Sequence, residues 1–137
     1  MIAFFDTSAL IYLMEGEEPF ASGVRSSLAA LVTAYPDLGV AVSRLAWLEC
    51  RVGPLKHKQT QVLKAYDDFF ARTDLVWVEL DRKVIELATQ IRANTGLKTP
   101  DALQAASALQ LGTGHCFLTG DAGFNRVPGL IVKLVTA

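Results

Sequence analysis

Cysteine and histidine are both scarce in this chain. Its 137 residues include two cysteines, Cys50 and Cys116, which lie in separate apolar segments and form no Cys-x-x-Cys pair. This spacing offers no thiolate zinc site and favours two reduced core cysteines over a disulfide. The histidines, His57 in a Lys-His-Lys run and His115 just before an apolar run, fit a surface and a structural position. We expect neither histidine to be catalytic.

A long apolar run is also missing. No stretch of the sequence approaches the roughly 18 residues that a membrane span requires. The apolar start, residues 1–5, stops at Asp6 and has no basic lead, so we expect no signal peptide, no membrane association and a cytoplasmic location. Apolar residues nevertheless make up 51% of the chain, with a mean hydropathy of +0.30. Either a sheet covered on both faces or an apolar partner surface accounts for this surplus.

Charge of one sign is not in excess, because 13 basic residues stand against 14 acidic ones and the net charge is −1. A non-specific nucleic-acid binder depends on a basic surface, so the balance argues against that class. It does not exclude a nuclease, because bound cations offset the charge of acidic ligands locally.

Short apolar runs alternate with amphipathic helical patterns along the chain. This alternation predicts an α/β fold with a mostly parallel, five-stranded central sheet that is flanked by helices on both faces. The sequence shows no linker or repeat, so we expect residues 1–137 to form a single domain. The predicted strands cover residues 2–5, 40–42, 76–80, 116–119 and 130–135.

Local signals predict where several helices begin and end. Ser43 is the expected N-cap of the helix after the second strand, and Gly53-Pro54 is expected to interrupt that helix. Asp81 is expected to cap the helix that follows the third predicted strand. For the helix that follows, we expect Thr99 as N-cap with Pro100 at the first helical position.

Four acidic residues lie beside or inside apolar segments, where a carboxylate is costly unless it is protonated, paired or bound to a cation. Asp6 directly follows the first predicted strand, and Asp121 follows the fourth after one glycine. Ligands collect at the carboxyl ends of strands in open α/β sheets, and the helix residues Glu49 and Asp101 plausibly join them there. Clustered carboxylates suit Mg²⁺ or Mn²⁺, which assist phosphodiester cleavage.

Each acid also has an ordinary structural interpretation. Asp6 fits a helix cap, Asp101 fits a first helical turn that the macrodipole favours, and Asp121 fits a turn. Glu49 lies at the edge of a helical stripe formed by Leu45, Leu48 and Val52, and a solvated glutamate there is an open alternative. Arg44, Trp47 and Arg51 share a helix face, which fits either a phosphate grip or two solvated arginines beside a tryptophan. The hypothesis of a four-acid site therefore depends on all four acids lying together in the folded protein.

Four segments in a fixed order carry a family resemblance: FFDTSALIYL, SRLAWLEC, TPDALQAASAL and FLTGDAGF. Together they resemble the motif series of PIN-domain proteins, from Ile2 to the last strand, and the short layout is most similar to VapC-type toxins of toxin–antitoxin pairs. The resemblance implies that Asp6, Glu49, Asp101 and Asp121 bind one or two divalent ions and support endoribonuclease activity. It also implies that Ser8 and Thr119 orient carboxylates or water.

One departure from that family pattern concerns the end of the site. Many relatives carry a further acid shortly after the last one, where this chain has Ala122, Gly123 and Asn125. Asn125 could offer a neutral oxygen, and the number of ions stays open. The resemblance further implies an RNA substrate, a small antitoxin and a homodimer. The alternative is a PIN-like binding module, weakly active or inactive, held in a protein or RNA complex.

Overall fold

Five parallel strands form a single sheet in this computed structural model, which describes residues 1–135. The strand order is β3-β2-β1-β4-β5, and every neighbouring pair is parallel. The predicted five-stranded α/β fold is confirmed, although the predicted domain extends to residue 137 and its last two residues lie outside the described ones. The elements are β1 Ile2–Phe5, α1 Thr7–Glu15, α2 Phe20–Ala34, β2 Gly39–Ser43, α3 Arg44–Lys56, α4 Thr60–Phe70, β3 Leu75–Val78, α5 Arg82–Thr95, α6 Thr99–Leu109, β4 His115–Thr119, a 3-10 helix Ala122–Arg126 and β5 Val132–Leu134.

Side chains that alternate along the strands build two cores, one on each face of the sheet. Ala3 and Phe5 of β1 pack in the core that α1, α2, α3 and α4 cover. Phe4 lies on the opposite face with α5 and α6, where its ring stacks on Phe117 at 5.4 Å between centroids. This two-sided burial explains the apolar composition and confirms that helices flank both faces.

The register of the central strands brings two site segments together. β1 pairs with β4 so that Phe5 lies beside Leu118, and the Asp6 N–H continues the ladder to the Leu118 carbonyl at 3.0 Å. Because parallel strands end on the same edge, the residues after β1 and those after β4 leave the sheet side by side. Asp6 therefore neighbours Thr119, the last residue of β4.

Two helix predictions are wrong. α3 continues through Gly53 and the buried Pro54 to Lys56, because a proline this close to the helix end costs few backbone hydrogen bonds and its ring packs into the interior. Lys98, whose backbone is extended, is the N-cap of α6; Thr99 is already helical and accepts a hydrogen bond from Arg92. The Thr99 hydroxyl is thus used in a tertiary contact.

Two other caps follow the sequence prediction. Ser43 Oγ accepts from the Leu45 N–H at 3.1 Å, and Asp81 Oδ1 accepts from the Val84 N–H at 3.1 Å. Each bond satisfies a backbone donor that the first helical turn leaves free.

The two cysteines and His115 are buried in the folded protein. Cys50 and Cys116 are free and buried, and burial raises the pKa of the Cys50 thiol to about 12. His115 is fully buried, with Nδ1 2.6 Å from the Gly112 carbonyl and Nε2 accepting from the Ile131 N–H at 3.1 Å.

Over residues 1–135, no helix is long and apolar enough to cross a membrane.

Candidate metal centre

The four acids predicted to form a site lie close enough for their charges to interact. Asp101 is at the centre of this group: its charge raises the pKa of Asp6, and its own pKa is raised by burial first and then by Asp121 and Glu49. Lys98 opposes the shift at Asp101. The structure therefore brings together all four carboxylates, contributed by the ends of β1 and β4 and by helices α3 and α6. We call this group the acidic cluster.

Asp6 is the most firmly held member of the acidic cluster. It is 6% exposed, and it accepts three hydrogen bonds: the Thr7 N–H at 2.8 Å on Oδ1, and Ser8 Oγ at 3.0 Å and Thr119 Oγ1 at 2.8 Å on Oδ2. Burial raises the pKa of Asp6 to about 6, with the charge of Asp101 adding to the rise while the three donors oppose it. Asp6 is both a helix cap, as one interpretation predicted, and a member of the cluster.

The predicted orienting hydroxyls connect Asp6 to the loop after β4. Thr119 Oγ1, which donates to Asp6, also accepts from the Asp121 N–H at 3.1 Å. Ser8 Oγ donates to Asp6 and accepts from the Gly120 N–H at 3.3 Å. These contacts are what an orienting role requires, and the role itself stays a prediction.

Asp121 is the exposed end of the acidic cluster. Asp121 Oδ1 accepts from the Gly123 N–H at 2.8 Å, so Asp121 caps the short 3-10 helix. A side chain at position 123 would crowd this carboxylate, because a Cβ there would lie 3.0 Å from Asp121 Oδ1. Asn125 is exposed on the same helix and makes no side-chain hydrogen bond to the cluster within residues 1–135. Its proposed neutral oxygen is therefore not engaged with the four acids.

Glu49 is held by two residues that the sequence analysis did not select. Thr7 Oγ1 donates to Glu49 Oε1 at 2.7 Å, and Gln104 Nε2 donates both to Thr7 Oγ1 at 2.8 Å and to Glu49 Oε1 at 3.1 Å. Gln104 is 1% exposed, and its Oε1 is buried without a hydrogen-bond partner among residues 1–135. A buried acceptor left without a partner costs about 1–3 kcal/mol. The one available signal was a glutamine inside the apolar run ALQAASAL.

The apolar stripe proposed beside Glu49 is wrong. Leu48 and Val52 are 57% and 55% exposed, whereas α3 buries Ala46, Cys50 and Pro54 at spacings of four residues. These smaller residues form the face that packs on the core. Glu49 is half-buried, one position before Cys50.

The two arginines of the same helix are engaged with neighbours in the protein. Arg44 pairs with Glu79 at 2.8 Å and lies 3.9 Å from the centroid of the Trp77 ring. Arg51 pairs with Asp67 at 2.8 Å and stacks over Trp47. Because the Arg51 side chain is only 16% exposed and both arginines are ion-paired, neither a free phosphate grip nor two solvated arginines describes this face.

The charge of the acidic cluster fits a divalent cation. Among residues 1–135, none of its four carboxylates forms a salt bridge with an arginine, lysine or histidine. Oxygen donors with uncompensated negative charge are what Mg²⁺ and Mn²⁺ bind. However, no three His, Cys, Asp or Glu side chains of the described chain are already arranged to hold an ion. It is the charge of the cluster, and not a preformed ligand geometry, that fits a cation.

Comparisons with known proteins agree on the fold. A family model described as PIN domain matches residues 3–130, whereas no curated protein sequence matches the chain. Among solved structures, VapBC2 from Rickettsia felis, bound to a DNA fragment from its promoter, is 20% identical over 98% of both chains with a TM-score of 0.77. VapBC-1 from nontypeable Haemophilus influenzae is 19% identical over 100% of both chains, with a TM-score of 0.75. A toxin–antitoxin complex from Klebsiella pneumoniae is 27% identical over 94% of this chain and 95% of that one, with a TM-score of 0.67.

Proposed function

This chain belongs to the PIN-domain family, and we propose that it is a metal-dependent endoribonuclease that acts as the toxin of a toxin–antitoxin pair. The observation that carries the proposal is the proximity of Asp6, Glu49, Asp101 and Asp121 at one end of the sheet, with none of the four in a salt bridge to a basic residue among residues 1–135. Family membership and the toxin–antitoxin complexes of the same fold support the nuclease and toxin assignments. The proposal treats residues 1–137 as one domain that works on RNA in the cytoplasm.

The proposed cofactor is Mg²⁺ or Mn²⁺, with one or two ions per site. Bound by the acidic cluster, such an ion supplies an activated water and neutralises charge on the phosphoryl oxygens. Asp6 offers carboxylate oxygens that three hydrogen bonds hold still. Asp101 and Asp121 are more exposed and able to adjust. Ser8 and Thr119 orient Asp6, and Asn125 is the candidate neutral ligand.

No histidine is assigned a role in proton transfer. His115 is buried with both ring nitrogens engaged, and His57 is exposed beyond the end of α3. Hydrolysis would then rely on water activated at the acidic cluster, as the metal-dependent mechanism requires.

Cleavage of RNA by the purified protein tests this proposal. The wild type is expected to cut RNA with Mg²⁺ or Mn²⁺ and to stop with EDTA, and Asp6→Asn is expected to abolish cutting. Asp37→Asn, a change of the same kind in an exposed turn, is the matched control and should cut normally. Equal cutting by Asp6→Asn and wild type would mean that the activity belongs to a contaminant. Growth arrest on expression of the wild type but not of Asp6→Asn would support the toxin assignment.

A second candidate is a PIN-like binding module that is weakly active or inactive. It is favoured by the absence, within residues 1–135, of three acidic, histidine or cysteine side chains already arranged for an ion. This candidate predicts no RNA cleavage and no change in melting temperature with Mn²⁺. A rise in melting temperature with Mn²⁺ that Asp6→Asn removes would count against it.

Protein partners are part of the proposal. One similar solved structure is described as a toxin–antitoxin complex and two others as VapBC structures. We propose a small antitoxin partner and a homodimer for this chain. Trp47, Leu48, Val52 and Leu55 of α3 are between 40% and 57% exposed, on the helix that carries Glu49. Exposed apolar side chains in one patch are typical of a protein contact. Light scattering of the purified protein tests the dimer, and co-purification with the neighbouring gene product tests the antitoxin.

A further inference from the structure

A buried hydrogen-bond chain from α6 ends on the carboxylate of Glu49. Gln104 Nε2 donates to Thr7 Oγ1 at 2.8 Å, and Thr7 Oγ1 donates to Glu49 Oε1 at 2.7 Å. Gln104 Nε2 also reaches Glu49 Oε1 directly at 3.1 Å. These hydrogen bonds join three helices, α1, α3 and α6, and the bonded residues are 42 to 97 positions apart in sequence. We call Gln104, Thr7 and Glu49 the Gln-Thr-Glu chain.

Every bond in the Gln-Thr-Glu chain points in the same direction. An amide N–H and a hydroxyl both donate toward Glu49, and a carboxylate is an acceptor-only group. Both donors converge on Oε1, and within residues 1–135 no hydrogen bond is made to the other oxygen, Oε2. One oxygen is therefore fixed while the second accepts no such bond. The charge of Glu49 also raises the pKa of Asp101, so the two carboxylates lie near each other.

Gln104 is poorly explained by stability alone. Its side chain is 1% exposed, and its Oε1 is buried with no hydrogen-bond partner in the described part of the chain. An apolar residue of similar length would avoid that unsatisfied acceptor. A buried polar atom without a hydrogen-bond partner lowers stability, so it is expected mainly at positions that serve a function.

We infer that Gln104 and Thr7 are positioning residues, which hold Glu49 Oε1 so that Oε2 is presented to a divalent cation at the acidic cluster. This inference rests on the proposed function, since it gives Glu49 a role only if the cluster binds a cation. Partners of this kind fix the orientation of metal ligands, and their loss typically lowers metal affinity or activity by about 10- to 100-fold.

Two variants break the Gln-Thr-Glu chain, each at a different residue. Gln104→Met keeps the length of the side chain and deletes both donors together with the unsatisfied acceptor. Thr7→Val keeps the shape and deletes the hydroxyl, and Thr7→Ser restores the hydroxyl. The matched control is Gln110→Met, the same change at an exposed glutamine after α6, whose Nε2 donates to the Ala106 carbonyl.

Calorimetric titration with Mn²⁺, together with the melting temperature of the metal-free protein, tests the inference. Gln104→Met and Thr7→Val are expected to bind Mn²⁺ about 10- to 100-fold more weakly than wild type, whereas Thr7→Ser and Gln110→Met bind as wild type does. Metal-free Gln104→Met is expected to melt near wild type, because the loss of the two hydrogen bonds that Gln104 Nε2 donates is offset by the loss of a buried unsatisfied oxygen. A purely structural role would lower the melting temperature and leave the affinity for Mn²⁺ unchanged.

The outcomes separate this inference from the function on which it rests. If the wild type binds neither Mn²⁺ nor Mg²⁺, the proposed function fails and the inference falls with it. If the wild type binds Mn²⁺ and cuts RNA while Gln104→Met and Thr7→Val bind Mn²⁺ as tightly, only the inference is overturned. Should Gln104→Met not fold, the comparison of Thr7→Val with Thr7→Ser decides by itself.

Discussion

Thr119 donates a 2.8 Å hydrogen bond to Asp6, and this bond joins the end of β4 to the end of β1 at the centre of the sheet. The same hydroxyl accepts from the backbone of Asp121 at 3.1 Å. One buried side chain thus sets the relation between two acids that are 115 positions apart in the sequence.

Removal of this hydroxyl should damage both stability and activity. In Thr119→Val, Asp6 loses one of its side-chain donors in a buried place, so we expect a loss of about 1–3 kcal/mol in the free energy of unfolding. RNA cleavage should fall by about 10- to 100-fold. Thr119→Ser retains the hydroxyl and should stay near wild type in both measurements. Normal cleavage by Thr119→Val would show that the Thr119 hydroxyl has no orienting role.

Stability of the metal-free protein should depend on pH through Asp6. Its pKa rises on folding from 3.8 to about 6 because of burial. Between these values the folded protein holds a proton that the unfolded chain has released, so stability falls as the pH rises from about 4 to about 6. At about 1.4 kcal/mol per pKa unit, the loss is up to about 3 kcal/mol and is complete above pH 6.

Urea unfolding of Asp6→Asn in EDTA checks this sign. The amide does not ionise, so the stability of Asp6→Asn relative to wild type should increase from pH 4 to pH 7. Asp37→Asn, in its exposed turn, should show no comparable trend. A constant difference between Asp6→Asn and wild type across this range would mean that folding does not raise the pKa of Asp6.

Asp101→Asn should stabilise the metal-free protein slightly and weaken its response to cations. Asp101 interacts with the other three acids, but it is partly solvated, so the gain should stay below about 1 kcal/mol and shrink as salt is added. The rise in melting temperature with Mn²⁺ should be reduced or lost. Melting curves at low and high salt, with and without Mn²⁺, measure both effects, and an unchanged Mn²⁺ response would remove Asp101 from the ligand set.

His115 should matter for stability and not for chemistry. His115→Ala leaves the Ile131 N–H and the Gly112 carbonyl without their partner in a buried place, so we expect a loss of about 1–3 kcal/mol. Cleavage per folded molecule should be unchanged. His57→Ala, at an exposed position, should change stability by less than about 0.5 kcal/mol. If His115→Ala stayed as stable as wild type and lost cleavage, the structural role would be wrong.

Local signals were sufficient to predict the parts of this protein that depend on near neighbours in sequence. Short apolar runs between helical patterns predicted the strands, and Ser43 and Asp81 were recognised as caps because a cap bonds to a residue two or three positions away. The positions of Asp6 and Asp121 just past the ends of predicted strands indicated one shared edge, because parallel strands end on the same side.

Tertiary structure decided the features that depend on distant partners. Leu48 and Val52 belong to the apolar stripe read from the sequence, yet α3 packs on the core through smaller residues and leaves both of them exposed. Gln104 had no local signal for a contact with Thr7, 97 positions away. The sequence alone determined the strands, the sheet edge and the candidate acids, through periodicities that act over a few residues. Only the packing of helices on the sheet determined what holds the acids in place, because each of those contacts joins side chains from different elements.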